Sequence, residues 1–375
     1  MSQSTPFLRP RLVGERFQEG AIPLELLKDL AVLEEMVVEV AKWVYLNEHA
    51  GRRKAPRGFS SSVSLRITGV DRGSAVPVIA LFTAETFLPQ HRVYFEQARV
   101  RILGAVDAAA HNEPVTDHLP ESLLGYFDRV GRSLRRDESI EFNPDDPSRP
   151  ARLTKSSRRR LVLAPAHVQA VAEEIALRGS VPEADQESMS FTLQVISGPK
   201  VRATIGAPHL QTVLDAFNGY RSGARVLVQG VGRYNRFNRL QGIDSVEHVT
   251  LLDPNDVAAR LDEFRDLKPG WLDGKGVQPS PEGLDWFSRS FERRYPEHLP
   301  LPYLYPTAEG GVRAEWSLTP FDLSLDVSLE SRRAEWHVLN LRTDDEESQE
   351  LDLDHGDDWA WMAARLRELS DGGVS

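Results

Sequence analysis

The chain has 375 residues and no cysteine. That absence excludes a disulfide framework, a thiolate metal site and a cysteine nucleophile. It also fits a reducing compartment. No run reaches the roughly 18 consecutive apolar residues that suggest a membrane-spanning helix. The first residues are polar, are broken by Pro6 and Pro10, and lack the apolar stretch of a secretory leader. A cytoplasmic protein without membrane contact is therefore the expectation. Short catalytic motifs are missing as well. There is no H-E-x-x-H, no G-x-x-x-x-G-K-[ST] and no G-x-S-x-G. Gly230 and Gly232 lack the third glycine of a dinucleotide fingerprint. The ten histidines show no metal-ligand spacing. No metal or cofactor is expected, and a non-enzymatic protein is favoured. An enzyme assembled from distant carboxylates stays open; three or more carboxylates converging in one cleft would mark it.

What the sequence does contain is ordinary in bulk and uneven in charge. Hydrophobic residues make up 41% and charged residues 27%, as in globular proteins. At about 100–200 residues per domain, two or three domains are expected. The net charge is −11, but residues 254–375 hold 13 Lys and Arg against 26 Asp and Glu. The preceding residues hold 32 bases and 30 acids. An acidic last third argues against a chain that coats nucleic acid along its whole length. It leaves room for a local basic site before it, and it suits a protein partner.

Periodicity divides the chain into 1–150, 151–253 and 254–375. In the first part a polar segment precedes a helix over 23–48, where Leu27, Leu30, Leu33 and Val37 recur at helical spacing. A basic tract, 51–58, ends that helix. Alternation around Val63, Leu65 and Ile67 predicts a strand. The return strand covers 76–82, with Pro77 at an edge or a strand start. Helices are expected at 88–110 and 120–135. A linker follows, then a basic run (Arg152, Lys155, Arg158, Arg159, Arg160) expected to be exposed. Residues 161–163 are predicted as a strand and 165–177 as a helix.

The middle part gives three strands, a helix over 208–220 and two more strands. That order resembles the OB-fold, a partly open five-stranded barrel. The resemblance implies ligand binding on the barrel rim. There Arg233, Tyr234, Arg236, Phe237 and Arg239 fall between the fourth and fifth strands. Cations for phosphates and flat rings for bases are what a single strand of DNA or RNA requires. Lys200, Arg202 and Arg225 extend the patch if they face outward. The plainer alternative is a polar hairpin turned by Asn235 and Asn238.

The last part reads as helices at 257–267 and 280–295, an extended stretch at 299–306 and a three-strand meander. An acidic run, 344–358, and a closing helix capped by Asp357 or Asp358 complete it. Gly270, Trp271, Gly274, Pro279, Pro306, Thr307, Gly310, Gly311, Glu315 and Trp316 carry a glycine–tryptophan turn and a proline–threonine–glycine–glycine hairpin. This tail resembles that of uncharacterised bacterial proteins. The resemblance implies a bacterial origin and an association with toxin–antitoxin or phage-defence systems, but no reaction. Six of the seven tryptophans lie in this part, and Trp316 and Trp336 alternate as core residues.

The expected fold is thus α+β and multi-domain, with a central OB-like barrel and a C-terminal antiparallel meander flanked by helices. The expected function is non-enzymatic binding of single-stranded DNA or RNA through the basic–aromatic loop. The alternative is an interaction or regulatory subunit that uses the acidic domain for a protein partner.

Overall fold

The segment before the first helix reads as polar in the sequence, yet Phe7, Leu8 and Leu12 within it are buried. A computed structural model describes residues 6–71, 75–84, 87–143 and 149–372. The connection between the two predicted hairpin strands and the linker after the helix expected at 120–135 fall partly outside the described residues. Two compact units emerge: Met1–Glu174 with Val231–Asp244, and Ile175–Gly230 with Ser245–Ser375. Among the described residues no helix is long and apolar enough to cross a membrane.

In the first unit, β1 (Pro6–Leu8) and β2 (Arg11–Val13) precede α1 (Leu24–Glu48). Met36, Val40 and Val44 of α1 are buried, and Leu24 is exposed. The hairpin β3 (Val63–Asp71) and β4 (Val76–Thr83) follows, in the sheet order β1–β4–β3. Next come α2 (Arg92–Ala110) and a single turn, α3 (Glu121–Leu124). The long helix expected at 120–135 does not form. The chain passes into a tight 3-10 turn over Gly125–Asp128, and Gly131 adopts φ 75°, a left-handed conformation that breaks a helix. A second small sheet has the order β2–β5–β6, with β5 (Ser139–Glu141) and β6 (Arg152–Leu153). Its register sets Glu141 between Arg11 and Arg152.

The basic run is not an exposed linker followed by a strand: Arg152 lies in β6, and Lys155, Arg158, Arg159 and Arg160 lie in a helix, α4 (Lys155–Leu163). Thr154 and Ser157 form a reciprocal capping box at its start. Lysine and arginine are good helix formers, so the run and the 161–163 segment expected as a strand form one helix. The helix expected at 165–177 is replaced by the long strand β7 (Ala170–Asp185). Val171 and Ile175 are buried there, and β-branched side chains favour the pleated surface.

From β7 the chain makes β8 (Ser190–Val195), β9 (Lys200–Thr204), α5 (Leu210–Asn218), β10 (Val226–Asn235) and β11 (Leu240–Leu251). The sheet order is β11–β10–β7–β8–β9, a curled half-barrel. A bulge falls between Ser180 and Glu183 on β7. Just before it, a Cβ at Gly179 would stand 2.3 Å from the Gln194 carbonyl oxygen. Glycine permits that close approach, and bulges sharpen strand twist.

Two helices follow, α6 (Val257–Phe264) and α7 (Pro281–Arg294). Ser280 caps α7 by accepting the Gly283 N–H. The strands β12 (Tyr303–Pro306), β13 (Val312–Leu318), β14 (Phe321–Val327), β15 (Arg333–Asn340) and β16 (Glu346–Asp352) lie in sequential antiparallel order, and α8 (Gly356–Gly372) closes the chain. Trp316, Leu325 and Trp336 pack with Phe287 and Phe291 of α7 and with Trp359, Met362 and Leu366 of α8. Both tryptophans expected in the core are there. The acidic run is more than a solvated hairpin, because its centre, Glu346–Asp352, is the strand β16. Asp357 and Asp358 lie inside the first turn of α8 rather than at its cap, and Asp358 accepts the Asp352 N–H.

Candidate functional site

The basic–aromatic segment is the tip of the β10–β11 hairpin. Asn235 turns it by accepting the N–H groups of Phe237 and Arg239 at 2.9 and 3.0 Å. Asn238 takes a left-handed φ of 59°, a conformation asparagine tolerates. The five side chains then part company. Arg233 donates to Asp244 at 3.0 Å. Arg236 donates to the carbonyls of Val168 and Pro165. Tyr234 packs against the core of the first unit. Burial pushes its hydroxyl pKa up, and Glu173 adds to the shift. Only Phe237, 83% exposed, and Arg239 project free of side-chain partners among the described residues.

Lys200 and Arg202 lie on the edge strand β9, in the second compact unit, whereas the hairpin tip belongs to the first. Lys200 is exposed. Arg202 donates to Ser190 Oγ at 2.7 Å. Arg225 is paired with Glu263.

The second basic run is also committed to structure. Arg158 is 0% exposed. Its guanidinium donates to the carbonyls of Phe127, Asp128 and Ala172 at 2.8, 2.7 and 2.6 Å. Arg159 reaches Glu173 at 2.9 Å and the Asn235 carbonyl. Arg160 donates to the Ala109 carbonyl at 2.8 Å. Arg152 and Arg11 both donate to the buried Glu141. Burial alone would raise the Glu141 pKa; the two guanidinium hydrogen bonds outweigh it and hold the carboxyl below its usual range.

The sequence did not anticipate the open face of the C-terminal sheet. One face carries the apolar residues under α7 and α8, and alternation puts polar residues on the other. Residues directly opposite in register share a face. Glu315 faces Ser324, Ser324 faces His337, and His337 faces Ser348. In the next row Ser317 faces Asp322, Asp322 faces Leu339, and Leu339 faces Glu346. These rows line a concave cleft of about 760 Å³. Glu315 makes no direct ion pair but lies within the electrostatic reach of Arg313, and Asp322 and Glu346 have no ion pair among the described residues. At the β12 edge, Tyr303 stands opposite Glu315 and is 52% exposed. The signal was present in the alternation of Glu346, Ser348 and Glu350, which the dense acidity of the run obscured.

Three carboxylates in one cleft is the feature that would mark a carboxylate enzyme. Here they are spread over β13, β14 and β16 at ladder spacing. Direct neighbours across strands lie about 4.5–5.5 Å apart and diagonal ones about 7–8 Å. Among the described residues no group of three or more His, Asp or Glu is placed to hold a metal ion. The arrangement is a set of separate anionic positions spread over two neighbouring rows. No protein-family model, curated protein or solved structure matches this chain.

Proposed function

We propose that this chain is a non-enzymatic binding protein whose C-terminal sheet holds a basic protein segment on its open face. The observation that carries this reading is the concave cleft lined by Glu315, Asp322 and Glu346, none of them in a direct ion pair among the described residues, although Arg313 acts on Glu315 from nearby. An extended peptide repeats its side chains on one side every two residues, about 6.6–6.8 Å. That approaches the diagonal spacing of Glu315 and Asp322, about 7–8 Å, whereas Asp322 and Glu346 lie two strands apart, at about 9.5 Å. Tyr303 supplies a ring face for a guanidinium at the edge of the same face. Such a surface suits an interaction or regulatory subunit.

A labelled peptide of alternating arginine and threonine, titrated by fluorescence anisotropy, tests this. Binding that weakens with salt and disappears in Glu315→Gln/Asp322→Asn/Glu346→Gln supports it. No binding of the cationic peptide at low salt, or equal binding of an acidic control, contradicts it.

A second reading rests on Phe237 and Arg239. We read the half-barrel as OB-like, because its order places the first strand between the second and the fourth with a helix before the fourth. The exposed ring and the free guanidinium at its hairpin tip then serve a single strand of DNA or RNA, with one stacked base and one phosphate contact. Loss of oligonucleotide binding in Phe237→Ala/Arg239→Ala is its test.

A further inference from the structure

Residues 51–58 join α1 to the β3 hairpin and carry Arg52, Arg53, Lys54 and Arg57 with no acid among them. All four are exposed. Among the described residues Arg53, Lys54 and Arg57 make no side-chain hydrogen bond or ion pair. The Arg52 guanidinium lies 5.9 Å from the centre of the Tyr45 ring.

The loop is pinned at both ends to one aromatic cluster. At its start the His49 ring stacks on Tyr45 at 4.2 Å, and the Arg52 N–H donates to the His49 carbonyl at 2.8 Å. At its end Phe59 is buried, 5.3 Å from Tyr45 and 5.1 Å from His91. Gly58 allows the return with φ 80°, and the Phe59 N–H donates to the Pro56 carbonyl at 3.2 Å. The cations are therefore displayed on a short loop with fixed ends.

A structural role accounts for only part of this charge. Cations just past a helix C-terminus complement its dipole, but the effect fades within the last turn. Arg53, Lys54 and Arg57 lie beyond it. The nearest acid in sequence, Glu48, is hydrogen-bonded to Tyr94. Residues 51–58 themselves carry four cations and no acid. Burial depresses the pKa of His91, and Arg52 and His49 push it further down.

We propose that the 51–58 loop binds the phosphodiester backbone of a nucleic acid. Three of its four cations are arginines, whose planar fork matches pairs of phosphate oxygens. Tyr45 and Phe59, the rings beneath it, are buried and unavailable for base stacking. The contact is therefore to phosphate, and it positions a strand without reading its sequence. This site shares no residue with the C-terminal sheet or the hairpin tip, so it stands or falls independently of both readings above.

The test is an anisotropy titration of a labelled single-stranded oligonucleotide and its duplex, at two salt concentrations, on the full chain. The variants are Arg53→Ala/Lys54→Ala/Arg57→Ala and Phe237→Ala/Arg239→Ala. Loss of three phosphate contacts makes the slope of log K against log salt shallower by about 2 for a single strand or about 3 for a duplex. The loop variant is expected to bind at least about tenfold more weakly with that shallower slope, and the tip variant to keep the loop's contribution. A melting curve confirms that the loop variant folds; Arg53→Gln/Lys54→Gln/Arg57→Gln replaces it if it does not. Three results would overturn the proposal: no oligonucleotide binding by wild type, unchanged binding by the loop variant, or self-association of the chain that the loop variant abolishes while no oligonucleotide binds. The last would assign the loop to a second copy of this chain.

Discussion

The Arg236 guanidinium stands 2.6 Å from the carbonyl oxygen of Val168. It also reaches the Pro165 carbonyl at 2.9 Å. An arginine that looked free for phosphate is instead a clasp between the hairpin tip and the segment leading into β7. Arg236→Ala leaves two carbonyls without their charged donor. Hydrogen bonds to charged groups contribute about 1.5–3 kcal/mol, and partial exposure argues for the low end. We expect a loss of about 1–2 kcal/mol in urea unfolding. Arg239→Ala, with no side-chain partner to lose, should stay within about 0.5 kcal/mol of wild type. Equal effects of the two substitutions would contradict the assignment.

Arg158 should be far less tolerant. Its guanidinium satisfies three backbone carbonyls in the interior, where an orphaned acceptor costs about 1–3 kcal/mol. Arg158→Leu is expected to lower stability by at least about 3 kcal/mol. Denaturant unfolding of purified protein measures it. A loss below about 1 kcal/mol would mean that water reaches those carbonyls in the variant.

Much of the fold was legible in the sequence because its elements were periodic. The helix α1, the β3–β4 hairpin, the order of the half-barrel and the C-terminal meander all follow from spacing. The errors have local causes. The run from Arg152 to Arg160 was judged by charge alone, while Thr154 and Ser157, the capping pair, went unweighed. Residues 165–177 hold apolar side chains compatible with either period, and the sheet decided. At the hairpin the turn chemistry of Asn235 and Asn238 was visible. No spacing rule shows that Arg233 meets Asp244 or that Arg236 meets Val168, because those partners come from tertiary structure. The acidic face was hidden for a related reason. Glu315, Asp322 and Glu346 come together only through the register of four strands.

His91 ties stability to pH. The ring is buried among Tyr45, Phe59 and Tyr94, with Arg52 and His49 close by. Its pKa in the folded chain lies below the ordinary value of 6.5. Below pH 6.5 the unfolded chain takes up a proton that the folded chain still refuses. The contribution of His91 is therefore complete above that pH and is lost as the pH falls toward the folded value. His91→Phe should reduce the acid-side slope of the melting temperature between pH 7 and the depressed value. A slope unchanged by the substitution would count against it.

Tyr295 provides an alkaline counterpart. Burial pushes its hydroxyl up to about 12, although the hydrogen bond from Trp316 pulls the other way. The hydroxyl also donates to the Pro300 carbonyl. Several tyrosines are raised above the ordinary value of 10; an absorbance titration should show a step at about 12, and Tyr295→Phe should remove that step. Ionisation of every tyrosine near the ordinary value would show that this part of the core opens to water.

The central claim is that carboxylates outside direct ion pairs on the open face of the C-terminal sheet hold a basic segment. Anisotropy of the labelled arginine–threonine peptide, measured at low and high salt with wild type and with Glu315→Gln/Asp322→Asn/Glu346→Gln, tests it most directly. The account predicts salt-sensitive binding by wild type and its loss in a variant that melts at the same temperature. Equal peptide binding by both proteins, or none by either at low salt, would contradict it.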